Sequence, residues 1–201
     1  MSNKSIWYIS AGMLLIGYAL LSVLSLAWQW MGHITFEIFR HGNMRFFFRE
    51  MMNFWSWLNF GALILAGLVC FAKAFVGDTV PDLALVGLFG ILALLSALRG
   101  VGDLINMIKY EYGGFMNYII ILLSLLDVAV FGGMAAIILL KSSFGSFYFL
   151  PAAIKGVQSA ILFLIVIIDG YVNFGMLLVT MMTYMTLVGA MISVGRAVNE
   201  K

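Results

Sequence analysis

Charge is the scarcest property of this sequence. Asp, Glu, Lys and Arg make up 10% of its 201 residues, whereas a soluble domain carries roughly 25%. Apolar residues make up 64%, more than a soluble monomer can hide, so a separate soluble domain is excluded. A dispersed net charge of +2 excludes nucleic acid as a partner. A single cysteine, Cys70, excludes an intrachain disulfide. Its apolar neighbours mark it as a small core residue. Two histidines and one cysteine do not make a zinc site of the usual kind. There is no phosphate-binding Gly-rich loop, no dinucleotide fingerprint, no His-Glu-x-x-His helix and no Gly-x-Ser-x-Gly elbow. No cofactor is expected.

What remains is long apolar runs. Five or six membrane helices of about 20 residues need roughly 100–120 residues, which nearly uses up the chain. The expected fold is all-α, a single polytopic membrane bundle over residues 1–201. Twenty-one glycines suit close helix packing in lipid. The first run, Ile6 to Trp30, is too long for the apolar part of a signal peptide and reads as a membrane helix. Trp7, Tyr8, Trp28 and Trp30 mark its two ends as aromatic belts do.

Residues 31–53 read differently. Arg40, His41, Arg45 and Arg49 share one helical face, and Ile34, Ile38, Phe46, Phe47 and Met51 form much of the other. That pattern predicts a helix lying in the cytoplasmic interface, with the three arginines toward lipid headgroups. An ordinary amphipathic connector packed on its own bundle gives the same pattern. His33 and His41 stand eight residues apart, about 12 Å along a helix, too far to share one ion with Glu37.

Further spans are predicted at about 54–75, 83–103 and 115–140. Gly77-Asp78 and Pro81-Asp82 mark a turn, and residues 141–156 a linker containing Pro151 and Lys155. The last stretch, 156–195, holds a single charge, Asp169. It reads either as one long helix or as a hairpin turning at Asp169-Gly170. Two signals favour the single helix. Residues 117–127 resemble residues 159–169, each ending in an aspartate. Val130, Gly133 and Met134 then match Val172, Gly175 and Met176 without a gap. Cytoplasmic loops are also enriched in Lys and Arg. Six spans divide the cations six against five, whereas five spans divide them four against seven. The expectation is therefore five spans, six remaining possible, with the N-terminus outside and the C-terminus cytoplasmic.

Four polar residues are candidates for intramembrane chemistry. Asp127 lies at the middle of the clearest span and is expected to face protein or water, as a proton or cation site or as a helix–helix hydrogen-bonding group. Asp169 is its repeat partner. Arg99 and Asp103, spaced i,i+4, form an interfacial pair or, if buried, supply the cation that Asp127 needs. Residues 180–186 alternate Thr and Met and read as a helix-packing face. Gly189, Ala190 and Gly195 allow close approach to this chain or to a partner. With no reaction motif, the chain reads as a non-enzymatic subunit of a larger membrane assembly of the secretion, conjugation or energy-transducing kind. The alternative is a small ion- or proton-coupled transporter or channel using Asp127. The expected partners are the lipid bilayer and either other membrane subunits or further copies of the chain.

Overall fold

The computed structural model describes residues 2–31, 54–109, 115–140, 145–168 and 174–200. Asp169 and the segment with Arg40, Arg45 and Arg49 lie outside them. Six α-helices follow in order: α1 Asn3–Met31, α2 Phe54–Val76, α3 Asp82–Lys109, α4 Phe115–Leu140, α5 Leu150–Ile168 and α6 Phe174–Asn199. Short 3-10 turns occupy Gly77–Thr79 and Gly145–Phe149. All six α-helices contain segments long and apolar enough to cross a membrane. The protein is a multi-pass helical membrane protein. Helices are the expected solution, because a helix satisfies its backbone groups internally where no water is present.

Local chemistry sets the ends. Gly77 adopts the left-handed conformation, φ 77°, and stops α2. Pro81 leads into α3, whose first turn carries Asp82 against the helix dipole. Pro151 lies in the first turn of α5, where its missing N–H leaves no helical bond unmade. The expected linker 141–156 is therefore too long: α5 begins at Leu150 and takes in Lys155 and Gly156.

Each helix packs on its sequence neighbours, and α6 returns to α1, so the six close into a ring. Glycines permit the tightest contacts. A Cβ on Gly67 of α2 would meet Ile16 Cγ1 at 2.6 Å and the Gly12 carbonyl at 3.0 Å. The core runs between the helices from Tyr8 and Leu15 through Leu63, Phe89, Val130 and Met134 to Leu187 and Met191. Cys70 is buried within it.

The stretch 156–195 is not one helix. Tyr148 lies against Gly195, where an added Cβ would stand 2.9 Å from the Tyr148 ring. The Arg196 Nε donates to the Tyr148 hydroxyl at 3.3 Å. A continuous helix from Gly156 would carry residue 195 about 58 Å away. Folding back instead keeps each half within a core about 30 Å thick and buries α6 against α1. Along that contact Arg196 covers the Trp7 ring at 4.8 Å. Ser10 and Ser193 meet at 3.3 Å, and Gly189 faces Leu14. The run is antiparallel, so both chain termini lie at the same end of the bundle. The expected single helix over 156–195 is therefore corrected to two, α5 and α6, which gives six candidate membrane spans among the described residues. Gly189, Ala190 and Gly195 pack inside this chain, against α1 and the Gly145–Phe149 turn.

Candidate functional site

Asp127 finds its cation on the neighbouring helix. Lys155 Nζ of α5 donates to Asp127 Oδ1 of α4 at 2.7 Å. The lysine side chain is 4% exposed and the aspartate 24%. The ammonium also lies 5.8 Å from the centre of the Tyr184 ring of α6, a cation–π contact. Tyr18 of α1 and Tyr184 both sit within electrostatic range of the Asp127 carboxylate. Four helices thus converge on one charge pair.

Its depth follows from helix geometry. Tyr184 precedes Arg196 by twelve residues, about 18 Å at 1.5 Å per residue. Arg196 and Trp7 mark the termini end, where aromatic and basic anchors belong. At the other end stand Trp55 and Trp57, both exposed. Trp57 and Lys73, the latter beside the Tyr8 ring at 5.5 Å, are sixteen residues apart, about 24 Å. The Asp127–Lys155 pair therefore lies inside the span, about 18 Å from the termini end.

The cation expected from Arg99 is supplied by Lys155 instead. Arg99 Nε stands 4.0 Å from Asp103 Oδ2, and both side chains are exposed. This pair sits on the outer face of α3, toward the Trp55–Trp57 end. A further pair, Lys73 with Asp82 at 2.6 Å, closes the α2–α3 turn, where Lys73 also donates to the Val80 carbonyl at 2.8 Å. Reading every lysine as a loop residue hid Lys73 and Lys155. The available signal was spacing. Lys155 lies only four residues after a proline that a helix tolerates in its first turn, and it shares a face with Gln158 and Ser159.

Gln158 is buried, and its Nε2 donates to the Leu123 carbonyl of α4 at 2.7 Å. In the Thr–Met run, Thr183 donates to the Val179 carbonyl at 2.7 Å and Thr186 to that of Met182. Met181, Met182 and Met185 point outward.

Chemically, the site offers a carboxylate whose counter-charge is a flexible side chain on another helix. Such a carboxylate accepts a competing cation or proton when the lysine swings away. The chain matches no family model, and neither a curated protein nor a solved structure proved significantly similar to it.

Proposed function

We propose that this protein is a small ion- or proton-coupled membrane transporter or channel, with Asp127 and Lys155 as its intramembrane exchange pair. The observation that carries this reading is the 2.7 Å pair between two apolar helices, inside the span. Charges at that depth are costly, and intramembrane ionisable residues mark ion and proton pathways more often than they mark plain packing. A buried pair adds little stability over well-packed apolar side chains, so stability alone does not account for it. In the proposed cycle, a proton or cation arriving at Asp127 displaces the Lys155 ammonium, which keeps the Tyr184 ring as its neighbour. Return of the lysine expels the arriving ion.

The test is flux in liposomes. Vesicles containing the protein should dissipate an imposed proton or sodium gradient, followed by an entrapped dye, and Asp127→Asn should abolish that flux. Parent vesicles no leakier than protein-free ones would remove the transport reading. Activity of Asp127→Asn equal to the parent would remove Asp127 from the path.

A second reading is a non-enzymatic subunit of a secretion, conjugation or energy-transducing assembly. It is favoured by the outward methionines Met181, Met182 and Met185, since Met makes an adaptable packing surface. A stoichiometric partner retained in mild detergent, together with silent liposomes, would support it.

A further inference from the structure

A second polar layer lies one turn beyond the ion pair. Leu123 is four residues before Asp127 on α4. Gln158 and Ser159 are three and four residues after Lys155 on α5, and Thr180 is four before Tyr184 on α6. Because α4 and α6 run opposite to α5, all these offsets point the same way, about 6 Å further from the termini end. Gln158, Ser159 and Thr180 are 1%, 7% and 6% exposed. Gln158 Oε1, Ser159 Oγ and Thr180 Oγ1 have no hydrogen-bond partner among the described residues. Buried polar atoms normally find one.

Packing around the pair is lopsided. Toward the termini, the four converging helices contribute Leu15, Val130, Met134, Ala152, Leu187 and Met191, none more than 2% exposed. Away from the termini, among the residues described on those helices, the buried apolar side chains reduce to Ala19 and Leu123. One side of the pair is closed by buried apolar side chains, and the other carries the unpartnered polar atoms.

The chemistry of the layer selects its occupant. Gln158 Oε1 only accepts hydrogen bonds, whereas the two hydroxyls both donate and accept. An anion is refused by the amide oxygen, and a resident cation finds no counter-charge there, because the Asp127 carboxylate one turn away is already paired with Lys155. Water satisfies all three atoms. We infer that Gln158, Ser159 and Thr180 bind water, and that this water reaches the ion pair only from the end of the bundle opposite the chain termini. The layer would give Asp127 one-sided aqueous access, a role that rests on the transport reading, whereas the hydration itself does not.

Hydration is read by cysteine chemistry. In a Cys70→Ala background, Ser159→Cys and Thr180→Cys are reconstituted in vesicles, with Lys4→Cys marking the termini side. A small charged methanethiosulfonate reagent is added to each side in turn. The thiolate attacks the reagent sulfur, forms a mixed disulfide and releases methanesulfinate, and thiolates form where water reaches. Both cysteines should react from the side opposite Lys4→Cys. Their rates should exceed, by about tenfold or more, those of native Cys70 in the apolar core and of a lipid-facing Leu164→Cys. No reaction, or reaction only from the termini side, overturns the proposal. Slower labelling in sodium than in choline chloride would assign the layer to a cation and overturn it too. Radiolytic hydroxyl footprinting of the unaltered chain gives an independent readout. Tyr184 should be modified and Met191 spared, and the reverse order refutes one-sided hydration. Labelling reports water whether or not ions move, and flux reports transport whether or not the layer is wet, so the two failures are distinct.

Discussion

Lys73–Asp82 and Lys155–Asp127 are nearly the same contact by local measures. Their N–O distances are 2.6 and 2.7 Å, the lysines are 3% and 4% exposed, and the aspartates 26% and 24%. They differ in depth and in sequence distance. Lys73 and Asp82 are nine residues apart across the turn that joins α2 to α3. Their turn lies at the bundle end, and Lys73 also satisfies the Val80 carbonyl there. Lys155 and Asp127 are 28 residues apart on different helices, inside the span. At the bundle end a charge pair completes a turn, with headgroups and water close by. Inside the span each charge depends on the other, and under the transport reading the same contact opens only when something replaces one partner.

The sharpest break in this comparison comes from removing one charge at depth. Asp127→Ala or Lys155→Met alone should lower stability by about 3–5 kcal/mol, because the remaining charge is buried without a counter-charge. The double variant should regain most of that loss, measured by unfolding in mixed micelles. A double variant as unstable as either single one would show that the two charges do not compensate each other.

A smaller effect is expected at the bundle end. Lys73→Met should cost about 1–2 kcal/mol, because the Asp82 carboxylate is near water and the turn loses the hydrogen bond from Lys73 to the Val80 carbonyl. Ion flux should stay at the parent level. A stability loss matching that of Lys155→Met would erase the distinction of depth.

The smallest effect is expected at Arg99. Arg99→Gln should change stability by no more than about 0.5 kcal/mol, since its 4.0 Å contact with Asp103 is exposed and weakly held. A larger loss in the same unfolding assay would place that pair among the bundle's structural contacts.

Much of the architecture was legible in hydropathy, and the errors have specific causes. Pro151 was read as linker, although a proline in the first turn of a helix disturbs nothing, so the start of α5 was set six residues late. Lys155 was then counted as a loop cation. Removing it turns the six-span division into five against five and the five-span division into three against seven, so the charge bias still pointed away from the hairpin that the packing of α6 on α1 selects. Asp127 was identified from sequence because one carboxylate in a long apolar run is conspicuous. Its partner was not, because a lysine near a proline and a glycine resembles many loop lysines.

Composition by itself determined that this chain is a helical membrane protein. Few charges and long apolar runs admit few other structures, since lipid leaves backbone groups no partner but the helix itself. Composition also placed a carboxylate at mid-span. Tertiary structure alone decided the rest. The run 156–195 has nearly the same hydropathy whether it continues or turns back, and only the packing of Tyr148 on Gly195 and of α6 on α1 selects the hairpin. The Asp127–Lys155 pair required α4 and α5 to meet in one antiparallel register, because no spacing rule within a helix joins residues 28 positions apart.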